Sequence, residues 1–495
     1  MKRIFLVSAI MAMASTWAAA PSISVTSVEQ DPVTRTFTVM YTLSGAKAVV
    51  TMGAETNGVA LPETAFAAVT GDANRLMQPG SEIRTLKWCP PVELGFGPFG
   101  KDEVKIALKA WPTDSPPDYM VIDLAFSNNT SRIRYYTCKE NLPCDPSDAC
   151  YKTDYLVMRR IPAAGTTWRM GSPSTEPNRK LLSGAADNEE DTHYVKLTND
   201  YYLAIYPTTT WQNFLLTDVP SSGANYYWWQ RDSSNNQRVE HGYDWPIGHV
   251  QNVFWRGYFH DGPCTVSNTV FKFWPRDGHA IDDWVEGGLK CSQCGKGYTN
   301  KGATNQLRFY TMRKKYGLMF DFPTEAQWDF ACRGGAGGEG PLYMVGDRMP
   351  ELDEIAWYVG NSSNVVYDAY LKQDVSYATP HPVGLKLPNN YGLYDMIGNI
   401  SEWCIDWRWR PANSSNVIIN DGLQKHMWSD INRNSTQERL VRGANFSCPL
   451  GFCRVSFRAY LGPNNLNARL GTADANCVLL GQMGYRIWLP CEAVK

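Results

Sequence analysis

The chain has 495 residues, 47 basic against 49 acidic side chains, 43% hydrophobic and 19% charged residues. That length suggests several domains, and the composition supports a sizeable buried core, which excludes a disordered polymer. A net charge of −2 leaves no basic footprint for nucleic acid, and a mean hydropathy of −0.36 with no long apolar run after the N-terminus argues against a membrane-spanning chain.

Residues 1–20 open with Lys2 and Arg3, continue through an apolar stretch from Ile4 to Ala14 and end in Ala18-Ala19-Ala20. This is the layout of a secretory signal, so the protein is expected to be exported, to a periplasmic or extracellular space where disulfides are permitted. The 13 cysteines, an odd number, cannot all close within one chain.

Three period-2 runs follow. Phe37, Val39, Tyr41 and Leu43 alternate with Thr36, Thr38, Met40 and Thr42; Val104, Ile106 and Leu108 alternate with Lys105, Ala107 and Lys109; Met120, Ile122, Leu124 and Phe126 repeat the pattern. Together they predict a small all-β sandwich of immunoglobulin or fibronectin type over about 22–137. No paired carboxylate, histidine or phosphate loop accompanies the strands, so a structural or docking module is expected. Residues 138–157 read as a linker whose Cys138, Cys144 and Cys150 form, with Cys89, a disulfide set of three alternative pairings. From 158 to 495 the chain is rich in loops and aromatics; all seven histidines lie at His193 or later. Thr209 with Gln212, and Thr324 with Gln327, have capping-box spacing, the second predicting a helix that stops at Gly334-Gly335.

The motifs of this second part come in a distinctive order: Trp168-Arg169-Met170-Gly171-Ser172; His193-Tyr194-Val195-Lys196-Leu197; Phe322 through Trp328; Ala331-Cys332-Arg333-Gly334-Gly335; Pro388 through Met396; Gly398-Asn399; Glu402-Trp403; Arg442-Gly443; and Gly484-Tyr485-Arg486. The series resembles the sulfatase-modifying-factor, or formylglycine-generating-enzyme, family. The resemblance covers about 340 residues and implies an α+β fold of C-type-lectin-like kind, low in regular structure. Catalytic members oxidise a cysteine of a sulfatase's Cys-x-Pro-x-Arg segment to formylglycine, using oxygen and copper held by two cysteines.

On that resemblance Cys448 and Cys453, five apart, match the copper pair, a chemically sound match because Cu(I) prefers soft sulfur donors. Asn445 stands where catalytic members carry a serine, since Gly-Gly-Ser is here Gly443-Ala444-Asn445, and Ser401 stands where they carry a tryptophan. Asp395, Gly398, Ile400 and Glu402 match a calcium loop, two carboxylates and two main-chain carbonyls being hard oxygen donors. Cys291-Ser292-Gln293-Cys294 reads as a local disulfide, Cys332 and Cys404 as buried or mutually bonded, and Cys477 and Cys491 as structural.

Two functions are compatible with the sequence. One is an exported formylglycine-generating oxidase acting on a sulfatase-type protein through Cys448, Cys453 and Asn445. The other is a non-catalytic binding or scaffold protein whose aromatic loops, such as Tyr226-Tyr227-Trp228-Trp229 and Trp407-Arg408-Trp409, contact glycan or protein.

Overall fold

The computed structural model describes residues 19–92, 104–125, 132–176, 190–217, 227–229, 238–240, 243–247, 264–266, 269–271, 308–335, 350–368, 373–407, 419–420, 439–461 and 483–491. The chain divides into two units, Met1–Pro116 and Pro117–Lys495. The signal-like segment (residues 1–18), the Cys291/Cys294 pair, Cys477 and the side chains of Tyr226–Trp229 and Trp407–Trp409 lie outside the described residues.

The alternating runs of the first unit become strands because each has one apolar face to bury. Strands β1 (Ser22–Gln30), β2 (Phe37–Ser44), β3 (Ala48–Thr56), β4 (Val59–Ala60), β5 (Thr70–Gly71), β6 (Leu76–Met77), β7 (Gly80–Trp88) and β8 (Val104–Pro112) form two sheets. One runs β1-β2-β7-β5; in the other β3 pairs with β4, β6 and β8. Phe37, Val39, Tyr41 and Leu43 of β2 share one core with Ala48, Val50 and Met52 of β3 and with Leu86 and Trp88 of β7. Trp88 stacks on Phe37 with ring centroids 5.5 Å apart and packs against the tilted Phe66 ring at 5.4 Å, and its indole N–H donates to the Ala65 carbonyl at 2.7 Å.

The third alternating run belongs to the second unit. Strand β9 (Tyr119–Asp123) pairs antiparallel with β10 (Ile133–Tyr136) and with β11 (Tyr155–Ile161), Ile122 facing Leu156 and Met120 facing Met158. The division therefore falls at 116/117, not at 137, because the ladder commits Met120 and Ile122 to the later sheet. Nor is 138–157 a linker: it carries 3-10 turns at Lys139–Asn141 and Ala149–Lys152 and then enters β11.

Strand β12 (Thr167–Met170) pairs with β13 (His193–Lys196), and β14 (Tyr201–Ala204) joins β11. Short two-stranded ribbons follow: β15 (Tyr227–Trp229) with β16 (Arg238–Glu240), β17 (Cys264–Val266) with β18 (Thr269–Phe271), and β19 (Ser363–Asp368) with β20 (Gln373–Ala378). Strands β21 (Ser401–Trp407), β22 (Ile419–Asn420), β23 (Arg439–Arg442), β24 (Ala459–Leu461), β25 (Met483–Gly484) and β26 (Trp488–Pro490) complete the set. The resulting sheets run β10-β9-β11-β14-β26, β12-β13-β22 and β24-β23-β21-β25. Helices α1 (Thr210–Thr217), α2 (Arg308–Tyr316), α3 (Glu325–Cys332) and α4 (Leu352–Ile355) lie among them, which makes the unit α+β.

Both expected capping boxes form. Gln212 N–H donates to Thr209 Oγ1 at 3.2 Å while Gln212 Oε1 accepts from Thr209 N–H at 3.3 Å. The Thr324–Gln327 pair does the same at 3.1 and 3.0 Å. Gly334 and Gly335 follow α3 with positive φ of 68° and 86°, as the expected stop requires.

None of the nine described cysteines is in a disulfide, contrary to the disulfide expectation for Cys89, Cys138, Cys144 and Cys150. Cys332 and Cys404 are fully buried but not bonded to one another. Among the described residues no helix is long and apolar enough to cross a membrane.

Replacing Trp88 by Ala is expected to cost about 3–5 kcal/mol, through the cavity left between the two sheets. Trp88→Phe, which keeps most of the packing and loses the bond to Ala65, is expected to cost about 1–2 kcal/mol. Urea unfolding of the full chain followed by circular dichroism measures both; equal losses would show that the indole N–H, not the ring, matters.

Candidate functional site

Every residue of α3 is buried, including Glu325, Gln327 and Asp329. A helix enclosed on all sides has no solvent face for its charges, so they must be paired internally. Asp329 accepts from Arg333 Nε at 2.6 Å and from Arg442 Nη2 on β23, and Glu325 takes a two-pronged bond from Arg458 at 2.6 and 2.9 Å. Arg442 Nη1 also donates to the Phe457 carbonyl at 2.9 Å. Burial alone would raise both carboxyls, but these guanidinium groups hold Glu325 and Asp329 below the usual carboxylate range. Sequence reasoning missed this cluster; the i,i+4 spacing of Asp329 and Arg333 within a helix was the available signal.

Trp328 of α3 points to the segment expected to bind calcium. Its indole N–H donates to Glu402 Oε2 at 2.8 Å. Arg486 grips the same carboxylate, Nη2 to Oε1 at 2.8 Å and Nε to both oxygens at 3.1 Å. Asp395 instead accepts from the backbone N–H of Gly384 at 2.7 Å, and burial pushes its carboxyl up to about 6. Gly398 is a tight left-handed glycine: a Cβ there would collide with the Trp357 carbonyl, and its own N–H donates to the Gly443 carbonyl at 2.7 Å. Ile400 is buried beside Phe446. The donor set does not fit calcium in this arrangement, because both Glu402 oxygens are engaged by cationic or N–H donors where a cation would need them bare.

The segment 443–453 packs against this loop. Gly443 has φ 93°, and a Cβ would come within 3.1 Å of the Met396 carbonyl oxygen and 3.3 Å of the Trp328 ring. Ala444 follows at φ 58°, a strained value for a residue with a Cβ. Its carbonyl accepts from Ser401 Oγ at 2.9 Å; Asn445 Nδ2 donates to the same Oγ at 3.0 Å, and Asn445 Oδ1 accepts from the Ser447 N–H and hydroxyl at 3.0 and 2.9 Å. Two of the positions where this chain departs from the catalytic pattern, 401 and 445, therefore satisfy one another. Cys448 and Cys453 flank the 3-10 turn Leu450–Phe452. Cys448 is 0% exposed and Cys453 7%, the Cys453 thiol donating to the Pro449 carbonyl at 3.8 Å. Two sulfurs on one turn are the right kind of donor for Cu(I).

A cavity of about 650 Å³ lies elsewhere in the second unit, with Tyr119, Arg159, Asn390, Tyr391 and Tyr394 in its wall; none of the sequence-predicted site residues lines it.

Comparison with known proteins places this geometry. The model of the sulfatase-modifying factor enzyme 1-like domain matches residues 170–472. The chain belongs to this family. It is 28% identical over 155 residues to the formylglycine-generating enzyme of Thermomonospora curvata, covering 30% of this chain and 46% of that protein. It is 32% identical over 121 residues to the inactive C-alpha-formylglycine-generating enzyme 2 of Mus musculus, covering 24% and 34%. The matched stretches thus span less than half of these relatives. A solved structure titled Treponema denticola variable protein 1 aligns with a TM-score of 0.37 at 18% identity, covering 68% of this chain and 95% of that one.

Two tests of this family domain follow from its geometry. Arg442→Met leaves Asp329 and Glu325 short of a buried cation and is expected to cost about 3–5 kcal/mol. Because the folded carboxyls titrate below their unfolded values, the stability they supply is present above about pH 4 and is lost as pH falls through the depressed values. Acid unfolding of the Arg442→Met protein should accordingly begin at higher pH than in the parent. Separately, EGTA should leave the melting temperature unchanged; a fall restored by added calcium would overturn the reading of the Glu402 site.

Proposed function

We propose that this chain is an exported binding or scaffold member of the sulfatase-modifying factor family, built on a C-type-lectin-like fold, which recognises a glycan or glycoprotein and does not generate formylglycine. The observation that carries the reading is the closed knot of Ser401, Asn445 and Ser447 beside a fully buried Cys448. A substrate thiol has to reach a copper-bearing sulfur, and a serine hydroxyl in place of the Asn445 amide is the group able to give up a proton; Asn445 is instead held as a hydrogen-bonding strut.

The binding surface in this reading is the tyrosine-rich cavity. Tyr119, Tyr391 and Tyr394 supply flat faces for sugar rings, while Asn390 and Arg159 supply polar contacts to hydroxyl or acidic substituents. The relationship to a mouse relative named inactive is consistent with a family that keeps the fold without the chemistry.

A second reading has one observation in its favour. Cys448 and Cys453 lie on either side of a single tight turn, at the spacing that the family resemblance assigns to a copper pair. In that case the two sulfurs would hold copper, which supplies the oxygen chemistry, and the partner would be a sulfatase-type protein.

Incubation of the purified chain with Cu(I), oxygen and a Cys-x-Pro-x-Arg peptide, read by mass spectrometry, separates the two. The expected result is unchanged peptide, with saccharide binding on a glycan array weakened by Tyr391→Ala. Conversion of the peptide cysteine to formylglycine, abolished by Cys448→Ser, would replace the binding reading with the oxidase.

A further inference from the structure

The loop 144–150 carries a set of donors that neither the buried ion pairs nor the 443–453 turn uses. The sulfurs of Cys144 and Cys150 and a carboxylate oxygen of Asp148 all lie within 4.8 Å of one another. Backbone and buried groups hold them there. Asp148 precedes the 3-10 turn Ala149–Lys152 and accepts the Cys150 N–H at 2.9 Å. Cys144 donates its own N–H at 3.0 Å to the hydroxyl of Tyr151, a residue 1% exposed. Between them, Asp145 Oδ1 accepts from the Ser147 N–H at 2.8 Å and folds the loop back.

We propose that Cys144, Asp148 and Cys150 form a three-ligand site for a divalent cation of zinc type. Two thiolates and one carboxylate are the donors such an ion prefers, whereas magnesium and calcium reject sulfur. With Zn–S bonds of about 2.3 Å, the sulfurs of a tetrahedral site stand about 3.8 Å apart. That spacing lies within the observed limit of 4.8 Å. The charges in the neighbourhood have other uses: Lys139 pairs with Glu140 at 3.8 Å, and Lys152 sits over the Tyr206 ring at 5.8 Å. Among the described residues no basic side chain forms an ion pair with Asp148. A bound cation would neutralise a cluster that otherwise gathers two ionisable thiols around an acid.

The position of the site gives it a consequence. Cys144 also belongs to the wall of the 650 Å³ cavity, together with Leu142, Pro143 and Asp145 of the same loop. Metal binding would fix the loop that makes this wall. Three protein ligands leave a fourth position for water or for a donor atom of a bound molecule.

Cobalt(II) is the probe, because thiolate ligation gives it charge-transfer absorption and tetrahedral geometry gives it intense visible bands. The full chain, reduced and kept anaerobic, is titrated with Co²⁺ and then with Zn²⁺, in the parent and in a Cys448→Ser/Cys453→Ser background that removes the other sulfur pair. Both are expected to show the bands and to lose them to zinc. Introduced into that same Cys448→Ser/Cys453→Ser background, Cys144→Ser/Cys150→Ser with unchanged circular dichroism should show neither band. Asp148→Asn should weaken zinc binding by about tenfold or more, equivalent to about 1.4 kcal/mol. Absence of thiolate bands in the reduced parent would overturn the proposal, as would their persistence after Cys144→Ser/Cys150→Ser in that background. Recovery of a Cys144–Cys150 disulfide from protein purified with zinc present would overturn it too.

Discussion

The pairing of Arg486 with Glu402 organises the second unit. Arg486 is fully buried and uses its guanidinium in three directions: the Glu402 carboxylate on β21, the Ala204 carbonyl at the end of β14 at 2.9 Å, and the Tyr394 carbonyl at 2.7 Å. One planar cation thus joins the five-stranded sheet, the four-stranded sheet and the 388–396 loop. Trp328 completes the carboxylate from α3. A bidentate pair satisfied on all sides is the arrangement in which a buried charge is tolerable, and removing either partner would strand the other. The Asp329–Arg442 cluster repeats the solution from the very next residue of α3. In a unit with short strands and much loop, such fixed points do what long ladders do in more regular folds.

The sequence was most informative where a local rule acts alone. The alternation of Phe37, Val39, Tyr41 and Leu43 announces β2, and the spacing of Thr324 and Gln327 announces α3, because strand faces and helix caps are decided within a few residues. The alternation of Met120 and Ile122 likewise announces a strand but not its partner. Pairing with β11 is a contact across the chain, and so the expected unit ended about twenty residues late. The motifs Glu402-Trp403 and Gly484-Tyr485-Arg486 were visible as words of a family, yet their relation to each other was not; the assignment of Glu402 to calcium followed from reading its carboxylate without its cation. The disulfide expectation failed for a similar reason, since cysteine spacing carries no information on where a loop returns.

At the 443–453 segment the family and the individual chain separate. Gly443 is required by the close approach of Met396 and Trp328, so the backbone path belongs to the packing of the domain. Ala444 and Asn445 belong to this chain. The left-handed Ala444 turns its carbonyl toward Ser401, and Asn445 reaches the same hydroxyl, so a small polar pair fills the place where the family's catalytic pattern has a large ring and a hydroxyl. The relationship is legible because packing residues are many; activity is decided by the few that packing leaves at liberty to change.

The contacts of Arg486 also bear on how the molecule comes to be folded. Arg486 bonds a carbonyl 282 residues earlier, Tyr485 bonds Asn213 across 272, and Arg454 bonds Glu176 across 278. Strand β26, the outer neighbour of β14, arrives later still. None of these closures is available until nearly the whole second unit has been synthesised, and each pays the entropy of a very long loop before any return. The first unit, whose most distant ladder partners are Ala48 and Pro112, 64 residues apart, closes after a far shorter length of chain. On the ribosome the two units would therefore mature on different clocks, with the early sheets complete while the later domain is still an open chain lacking its last arginine.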